Sequence, residues 1–422
     1  MRVLILNEYF YPDVSATAQY SSELARALVR EGHEVTVVAG RRDYARPERR
    51  LPRKETWEGI HIRRVSSAGS GKTRRWQRAA HFASYLLSCA CRLLCMGSHD
   101  EVVALTTPPL LSVLAALFTR LKGGRLTIWI MDLNPDEAVA AGWLKPGGLA
   151  HSFLEHLLRY SLRRAHTVVA LDRFVRERVL AKGVRPENVA VLPPWSLDEA
   201  VEYDPAGRDD FRRRHGLEGK FVVMYSGNLS PCHPLDTLLE SAERLQSKPE
   251  KGAPVVFCFV GGGSELVKVN TVVRTKNLKN VVCLPYQPID RLGASLSAAD
   301  LHVVVMGGPF VGIIHPCKIY NILKLGVPFL YIGPASSHVT DMLPDGADGD
   351  WAHVFRHGDA EGVANCIERC ARGGARRAEE EICLARAFSS ERLVPRFLAL
   401  FPTASGRSSS QHAVSSRSVR DV

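Results

Sequence analysis

The sequence predicts an α/β protein built from two doubly wound halves, near residues 1–195 and 215–385, facing each other across a cleft. Three observations carry this. Short apolar runs recur along the chain, each followed by a helix-period pattern, which is the signature of parallel strands covered on both faces. The rhythm pauses once, in the polar piece LDEAVEYDPAGRDDFRRRHGLEGK after Pro193-Pro194, and then restarts. The chain is also long enough, at 422 residues with 45% hydrophobic and 23% charged, to bury two or three cores.

The elements follow in order. RVLILN is a short apolar strand. After a polar loop, SSELARALVREGHEVTVVAG carries a helix face on Leu24, Leu28 and Val29, a stop at Gly32 and a second buried strand. HIRRV, EVVALTTPP, RLTIWIMD, TVVALD and NVAVLPPW continue the first half. Residues 196–214 read as a linker. KFVVMYSGN, APVVFCFVGGG, NVVCLPYQP, DLHVVVMGG and VPFLYIG are five strands of the second half. At residues 386–402, SSERLVPRFLALF has an apolar helical stripe on Leu393, Phe397 and Phe401 and is expected to pack back on the first half. The tail, 403–422, is nearly devoid of apolar residues and is expected to be disordered.

Charge and cysteine usage narrow the classes. The formal charge is +11, and residues 41–78 hold thirteen Lys or Arg against four Asp or Glu. Such a surplus suits an acidic partner, whether nucleic acid, anionic lipid or a phosphorylated substrate, or else a plain solvated loop. The N-terminus, MRVLILNEYFYPD, has no signal-peptide pattern. No stretch reaches the ~20 apolar residues of a spanning helix: VVALTTPPLLSVLAALFT is broken by Pro108-Pro109 and AAHFASYLLSCAC is too short. The ten cysteines include no CxxC pair, and Cys89, Cys91 and Cys95 have no His or acid at zinc spacing, so all read as reduced core thiols.

Several motifs bear on chemistry. SSAGSGKT, Ser66 to Thr73, approaches a phosphate-binding P-loop with Lys72 but has serine at the first glycine position; the competing reading is a Gly/Ser connector. EYFYPDVSATAQ places Tyr11, Ser15, Ala16 and Thr17 between the first strand and its helix, where small residues let a ligand approach the helix amides. Gly227-Asn228 and Gly261-Gly262-Gly263-Ser264 each follow a strand, as a phosphate-approaching backbone requires, or as a simple turn would. Asp132 in MDLNPD ends a strand, as a cleft-facing carboxylate or as a helix cap. Asp348-Gly349-Asp350 lies in a polar turn and reads as an acidic loop.

FVGIIHPCKIYNILKLGVP, Phe310 to Pro328, reads as a loop entering a short helix at Pro316 and stopping at Gly326. The amides of Gly312 to His315 and the helix N-terminus suit a diphosphate, with Lys318 as counter-charge. The helix WQRAAHFASYLLSCACRLLCM, apolar on most faces, reads as core, or with the basic run before it as a surface that settles on an anionic membrane.

In the order and spacing of YPD, LARALVREGHEVTVV, WIMDLNPDEAVAAGWL, VLPPW, MYSGNLS, FVGGGSEL, CLPYQPIDRLGASLSAADLHVVVM and the Lys318 segment, the chain resembles the family 4 retaining glycosyltransferases of GT-B fold. It is similar in particular to the bacterial surface-polysaccharide branch of WbuB-like and WcaI-like enzymes. The resemblance covers all but the tail. It implies two Rossmann-like domains, a nucleotide sugar held by the second, a lipid-linked or other glycan acceptor held by the first, no metal cofactor and no nucleic acid. Reduced thiols suit a cytoplasmic protein, and the basic run with the apolar helix suits peripheral contact with the inner face of an anionic membrane through residues 41–95.

The family pattern assigns Gly227, Asn228, His233, Gly262, Gly263, Ser264, Gly312, Ile313, Ile314, Lys318 and Asn321 to the donor. It assigns Tyr11, Ser15, Ala16 and Thr17 to the acceptor and Asp132 and Lys318 to catalysis. Two family glutamates are absent: Ile313 stands at the first position and Asn321 at the second, where an amide oxygen accepts a ribose hydroxyl more weakly. Cys317 stands where serine is common, and Cys232-His233 where many relatives carry a phosphate-binding lysine, a role a protonated His233 would fill. A non-catalytic binding protein of this fold, a sugar-nucleotide epimerase and a phosphotransferase using Lys72 remain as rivals.

Overall fold

A computed structural model describes residues 1–44, 48–68, 75–196, 201–247, 253–343, 351–373 and 379–401. The P-loop-like residues 69–73, with Lys72, the Asp348-Gly349-Asp350 turn and the tail 403–422 lie outside them. The chain divides into two compact units: Met1–Pro194 with Gly312–His315 and the segment from Glu391, and Trp195–Val311 with Pro316–Ser390.

The first unit contains one eight-stranded sheet. Its strands are β1 (Arg2–Leu6), β2 (Glu34–Gly40), β3 (Lys54–Trp57), β4 (Ile60–Val65), β5 (Glu101–Leu105), β6 (Arg125–Trp129), β7 (Thr167–Ala170) and β8 (Val189–Val191), in the order β3-β4-β2-β1-β5-β6-β7-β8. Every pairing is parallel except that of β3 with β4. Parallel neighbours need crossovers, and helices supply most of them. Consecutive residues Val3 to Leu6 and Val102 to Leu105 are fully buried, so the central strands are covered on both faces. That explains why they read as unbroken apolar runs rather than alternating ones.

The second unit contains a six-stranded, fully parallel sheet: β9 (Phe221–Asn228), β10 (Val255–Gly262), β11 (Val281–Leu284), β12 (Leu301–Val305), β13 (Phe329–Ile332) and β14 (Ala352–Phe355), ordered β11-β10-β9-β12-β13-β14. In each sheet the strand order reverses direction beside a central strand, between β1 and β5 and between β9 and β12. The carboxyl ends of those strands are where an open α/β sheet leaves a crevice for ligands.

The structure departs from the sequence reading in four places. Strands β3 and β14 were not expected; both are four residues long, with alternating or partial exposure instead of an apolar run. The expected linker contains a helix, Pro205–Arg214, whose Phe211 packs with Val201, Leu217 and Met224 in a core of the second unit. This helix looks polar because its arginines are used internally: Asp300 accepts from Arg208 (2.6 Å), Arg212 (2.5 Å) and the amide of Val222 (2.7 Å). The expected C-terminal segment divides at Glu391, after which Phe397 packs on Trp129 at 4.6 Å between ring centroids. Finally, Gly312–His315 belong to the first unit, with Ile313 buried in its core.

Because Asp300 balances two guanidinium groups and a strand amide while itself buried, Asp300→Ala should cost about 3–5 kcal/mol. A lower midpoint of chemical denaturation of the full chain would show it. Asp210→Ala, which removes an exposed pairing with Arg213 and Arg214, should leave that midpoint in place.

Candidate functional site

In the second unit, the carboxyl end of β9 meets the start of the helix Lys318–Leu325. The Lys318 side chain turns back so that Nζ lies 3.5 Å from the centre of the Tyr225 ring. A cation over an aromatic face is attracted by the ring quadrupole. Yet this Nζ is shielded from solvent and makes no hydrogen bond. Burial holds its pKa down, at about 7 against an ordinary 10.5. A buried ammonium with three unused donors is costly unless something anionic completes it.

The surrounding backbone is shaped for that approach. Gly227 has φ +134°, and a β-carbon there would stand 3.1 Å from Lys318 Nζ. Gly261, its partner across the β9–β10 pair, has φ +143°, and a β-carbon there would meet the Gly227 carbonyl oxygen at 2.0 Å. Side chains are therefore excluded where the two strands end. Tyr225 Oη donates to the Asn228 carbonyl (2.8 Å) and Tyr286 Oη to that of Gly262 (3.2 Å), fixing the strand ends. Asn228, Gly263 and Ser264 are exposed at this rim.

His233 corrects one expectation. It is buried, and its Nδ1 donates to the Val305 carbonyl at 2.7 Å. Burial, reinforced by the charge of Lys318, pushes its pKa down to about 3, so His233 is neutral and cannot replace a phosphate-binding lysine. Nor does Pro316 open the helix. The helix starts at Lys318 with Cys317 as its N-cap residue, after a tight turn in which Ile319 and Tyr320 donate to the carbonyls of Pro316 and Cys317. Asn321 lies one turn into that helix and is half-buried.

Gly312, Ile313 and Ile314 group with the first unit. Leu133 N donates to Ile313 O (2.9 Å), Ile314 pairs with Asp132 as an antiparallel bridge, and His315 Nδ1 lies 2.8 Å from Asp172 Oδ2, all within the first unit. The Ile313 side chain packs in a core, which removes it from any sugar. Asp172 also caps the helix Arg173–Ala181 through Val175 N (2.7 Å).

In the first unit, Asp132 lies three residues beyond β6. Its amide and that of Met131 donate to Thr106 Oγ1 after β5 (3.0 and 3.1 Å). It is not a helix cap: the helix Asp136–Ala140 has Pro135 at its N-cap. Burial, and secondarily Glu137, pushes the Asp132 carboxyl up to about 7, the range of a group that exchanges protons at neutral pH. Tyr11 stacks on Trp57 at 3.9 Å. Ser15 is the N-cap residue of the helix Ala16–Arg30, but its buried Oγ bonds nothing, and its amide instead donates to Asp13 (3.1 Å). Ala16 is exposed and Thr17 half-buried in the first turn.

Two residues escaped the sequence reading. Glu8, two positions beyond β1, is buried with Oε1 2.5 Å from His81 Nε2, while its Oε2 bonds nothing. His81 Nδ1 faces the Ala68 carbonyl (3.2 Å), so both ring nitrogens meet oxygens. The available signal was a charged residue directly after a buried central strand. Its partner lies 73 positions away, on the helix Arg75–Leu94.

Known proteins share this fold and point to an enzyme class. Residues 15–195 match the glycosyl transferase 4-like domain family. The putative colanic acid biosynthesis glycosyl transferase WcaI of Escherichia coli K12 is 24% identical over 77% of this chain and 82% of that protein. Sucrose-phosphate synthase from Thermosynechococcus elongatus matches in structure with a TM-score of 0.73 at 15% identity, covering 95% of this chain and 98% of that one. HepE of Anabaena, solved with UDP-glucose, matches with a TM-score of 0.67 at 16% identity, covering 95% of this chain and all of its own. The chain is a glycosyltransferase of the GT-B fold, and its residues 15–195 are similar to the glycosyl transferase 4-like domain.

Proposed function

We propose that this enzyme transfers a hexose from a nucleoside diphosphate sugar to a glycan acceptor in cell-surface polysaccharide biosynthesis, with retention of anomeric configuration. The observation that carries the reading is the buried, unpaired Lys318 ammonium at the glycine-lined end of β9. A diphosphate there supplies the missing acceptors and makes the charge-assisted hydrogen bonds that favour burial. HepE, of the same fold, holds UDP-glucose, and WcaI is named for colanic acid synthesis.

In this reading Lys318 stabilises the charge that builds on the leaving diphosphate, which is the largest electrostatic demand of the reaction. Gly227, Gly262, Gly263 and Ser264 let the donor's phosphates approach backbone, Asn228 lies on the donor rim and Asn321 accepts from ribose. His233, being neutral, positions rather than charges. The donor phosphate takes the acceptor's proton, while Asp132 orients the acceptor hydroxyl or balances positive charge at the anomeric carbon. Tyr11, Ser15, Ala16 and Thr17 bind acceptor, joined by Glu8. The chemistry requires no metal.

A lipid-linked acceptor fits the first unit's surface. Among the described residues no helix is long and apolar enough to cross a membrane. However, the helix Arg75–Leu94 buries Tyr85, Cys89 and Leu93 and exposes Leu87 and Leu94. It packs beside the helix Leu111–Lys122, which exposes Leu117 and Leu121, and that helix packs beside Leu149–Arg164, which exposes Leu149 and Phe153. Six large apolar side chains on three adjacent helices, near a strongly basic segment, suit the interface of an anionic bilayer.

Binding, stability and kinetic measurements test these assignments. A panel of nucleoside diphosphate sugars should raise the melting temperature with at least one donor, by the equivalent of about 2.7 kcal/mol at a hundredfold excess over Kd; no shift with any donor overturns the reading. Lys318→Met should abolish that shift while stabilising the unliganded protein by about 1–3 kcal/mol, since a buried unsatisfied group is removed. Unfolded Lys318 titrates near 10.5 and folded Lys318 near 7. Between those values the unfolded chain binds the extra proton, so wild-type stability rises with pH and the advantage of Lys318→Met shrinks. Donor affinity should weaken as pH rises above 7, by up to about tenfold per pH unit, because binding then requires a proton.

Asp132→Asn should remove the acidic limb, near pH 7, from the kcat/KM profile while donor binding persists. In flotation assays the enzyme should bind vesicles containing phosphatidylglycerol and not neutral ones. Leu87→Ser with Leu94→Ser should weaken that binding without changing donor affinity.

A further inference from the structure

The second unit holds a metal-ligand cluster away from the donor residues. On the helix Ala360–Gly373, Cys366 and Cys370 are four residues apart and share one face. Parallel pairing of β14 with β13 brings His353 beneath that face. Cys370 Sγ lies 3.5 Å from His353 Nε2, and the ligand atoms of His353, Cys366 and Cys370 all fall within 4.8 Å of one another.

These spacings can be compared with a real coordination sphere. Tetrahedral zinc, with Zn–S of about 2.3 Å and Zn–N of about 2.0–2.1 Å, sets sulfur and nitrogen about 3.5 Å apart and two sulfurs about 3.8 Å apart. We propose that His353, Cys366 and Cys370 form a zinc site, with water as the fourth ligand. Two thiols and an imidazole are borderline-soft donors that select zinc over magnesium or calcium. Binding converts both thiols to thiolates and releases two protons to solvent. Cys366 is fully buried in the apolar core with Val363 and Ile367, whereas Cys370 and His353 are half-buried, so metal enters from the surface side.

The site has a mechanical consequence. Among the described residues β14 is the edge strand of its sheet, paired with β13, and zinc ties it to the helix that covers it. Neither the fold assignment nor the transferase reading depends on this metal.

The test uses the full chain, reduced and stripped with chelator. One equivalent of cobalt(II) should produce thiolate charge-transfer absorption and the intense visible bands of tetrahedral cobalt, saturating at one per chain and bleached by zinc. Zinc should raise the melting temperature of the stripped protein. His353→Ala and Cys370→Ser should lose the cobalt spectrum, and Cys383→Ser, at an exposed cysteine outside the cluster, should keep it. Absence of the spectrum in the wild type, or its survival in Cys370→Ser, overturns the proposal. A second readout does not rely on variants folding: zinc should protect Cys370 from iodoacetamide, followed by peptide mass spectrometry, and equal alkylation with and without zinc overturns it.

Discussion

The second unit is organised around a positive charge that has no hydrogen-bond partner among the described residues. Lys318 Nζ is buried against Tyr225 without a hydrogen bond, an arrangement that costs folding stability and is offset only when an anion arrives. Much of the local structure follows from accommodating it. Gly227 can carry no side chain without crowding Nζ, Gly261 leaves room for Gly227's carbonyl, and His233 is held neutral beside the cation. Under the proposed function, the stability lost by burying this ammonium is traded for affinity toward the donor's diphosphate.

The first unit solves the complementary problem with carboxylates. Glu8, after β1, is buried and Asp132, after β6, is half-buried, and their environments differ. Glu8 has a histidine against one oxygen; Asp132 has no such cation, and burial raises its pKa. Thr106 supports the second of them by accepting both amides of the turn at residues 131–132.

The stretch of residues 310–328 shows how a continuous sequence is divided by tertiary contacts. Its first part, Gly312–His315, pairs with Leu133 and Asp132 and bonds Asp172 in the first unit, while Lys318 onward packs in the second. The apolar residue at 313, which departs from the family's glutamate, is a core residue of the unit it joins. In sequence it looked like a missing ligand contact; in the fold it is packing.

Much of the architecture was legible without coordinates. Parallel strands buried on both faces must be written as apolar runs, and glycine must stand where strand ends approach one another, so β1, β2, β4 to β13 and the glycine turns could be read directly. Lys318 could be named because a helix start after a loop is a plausible anion site. What the sequence by itself determined is therefore the set of elements whose identity depends on local period and backbone freedom. Short half-exposed strands such as β3 and β14 lack that period and were invisible. The tertiary structure alone decided which distant residues meet: His81 with Glu8, Asp300 with Arg208 and Arg212, His353 with Cys366 and Cys370. It also decided which groups are charged, since the states of Lys318, His233 and Asp132 depend on burial and neighbours, which no local pattern encodes.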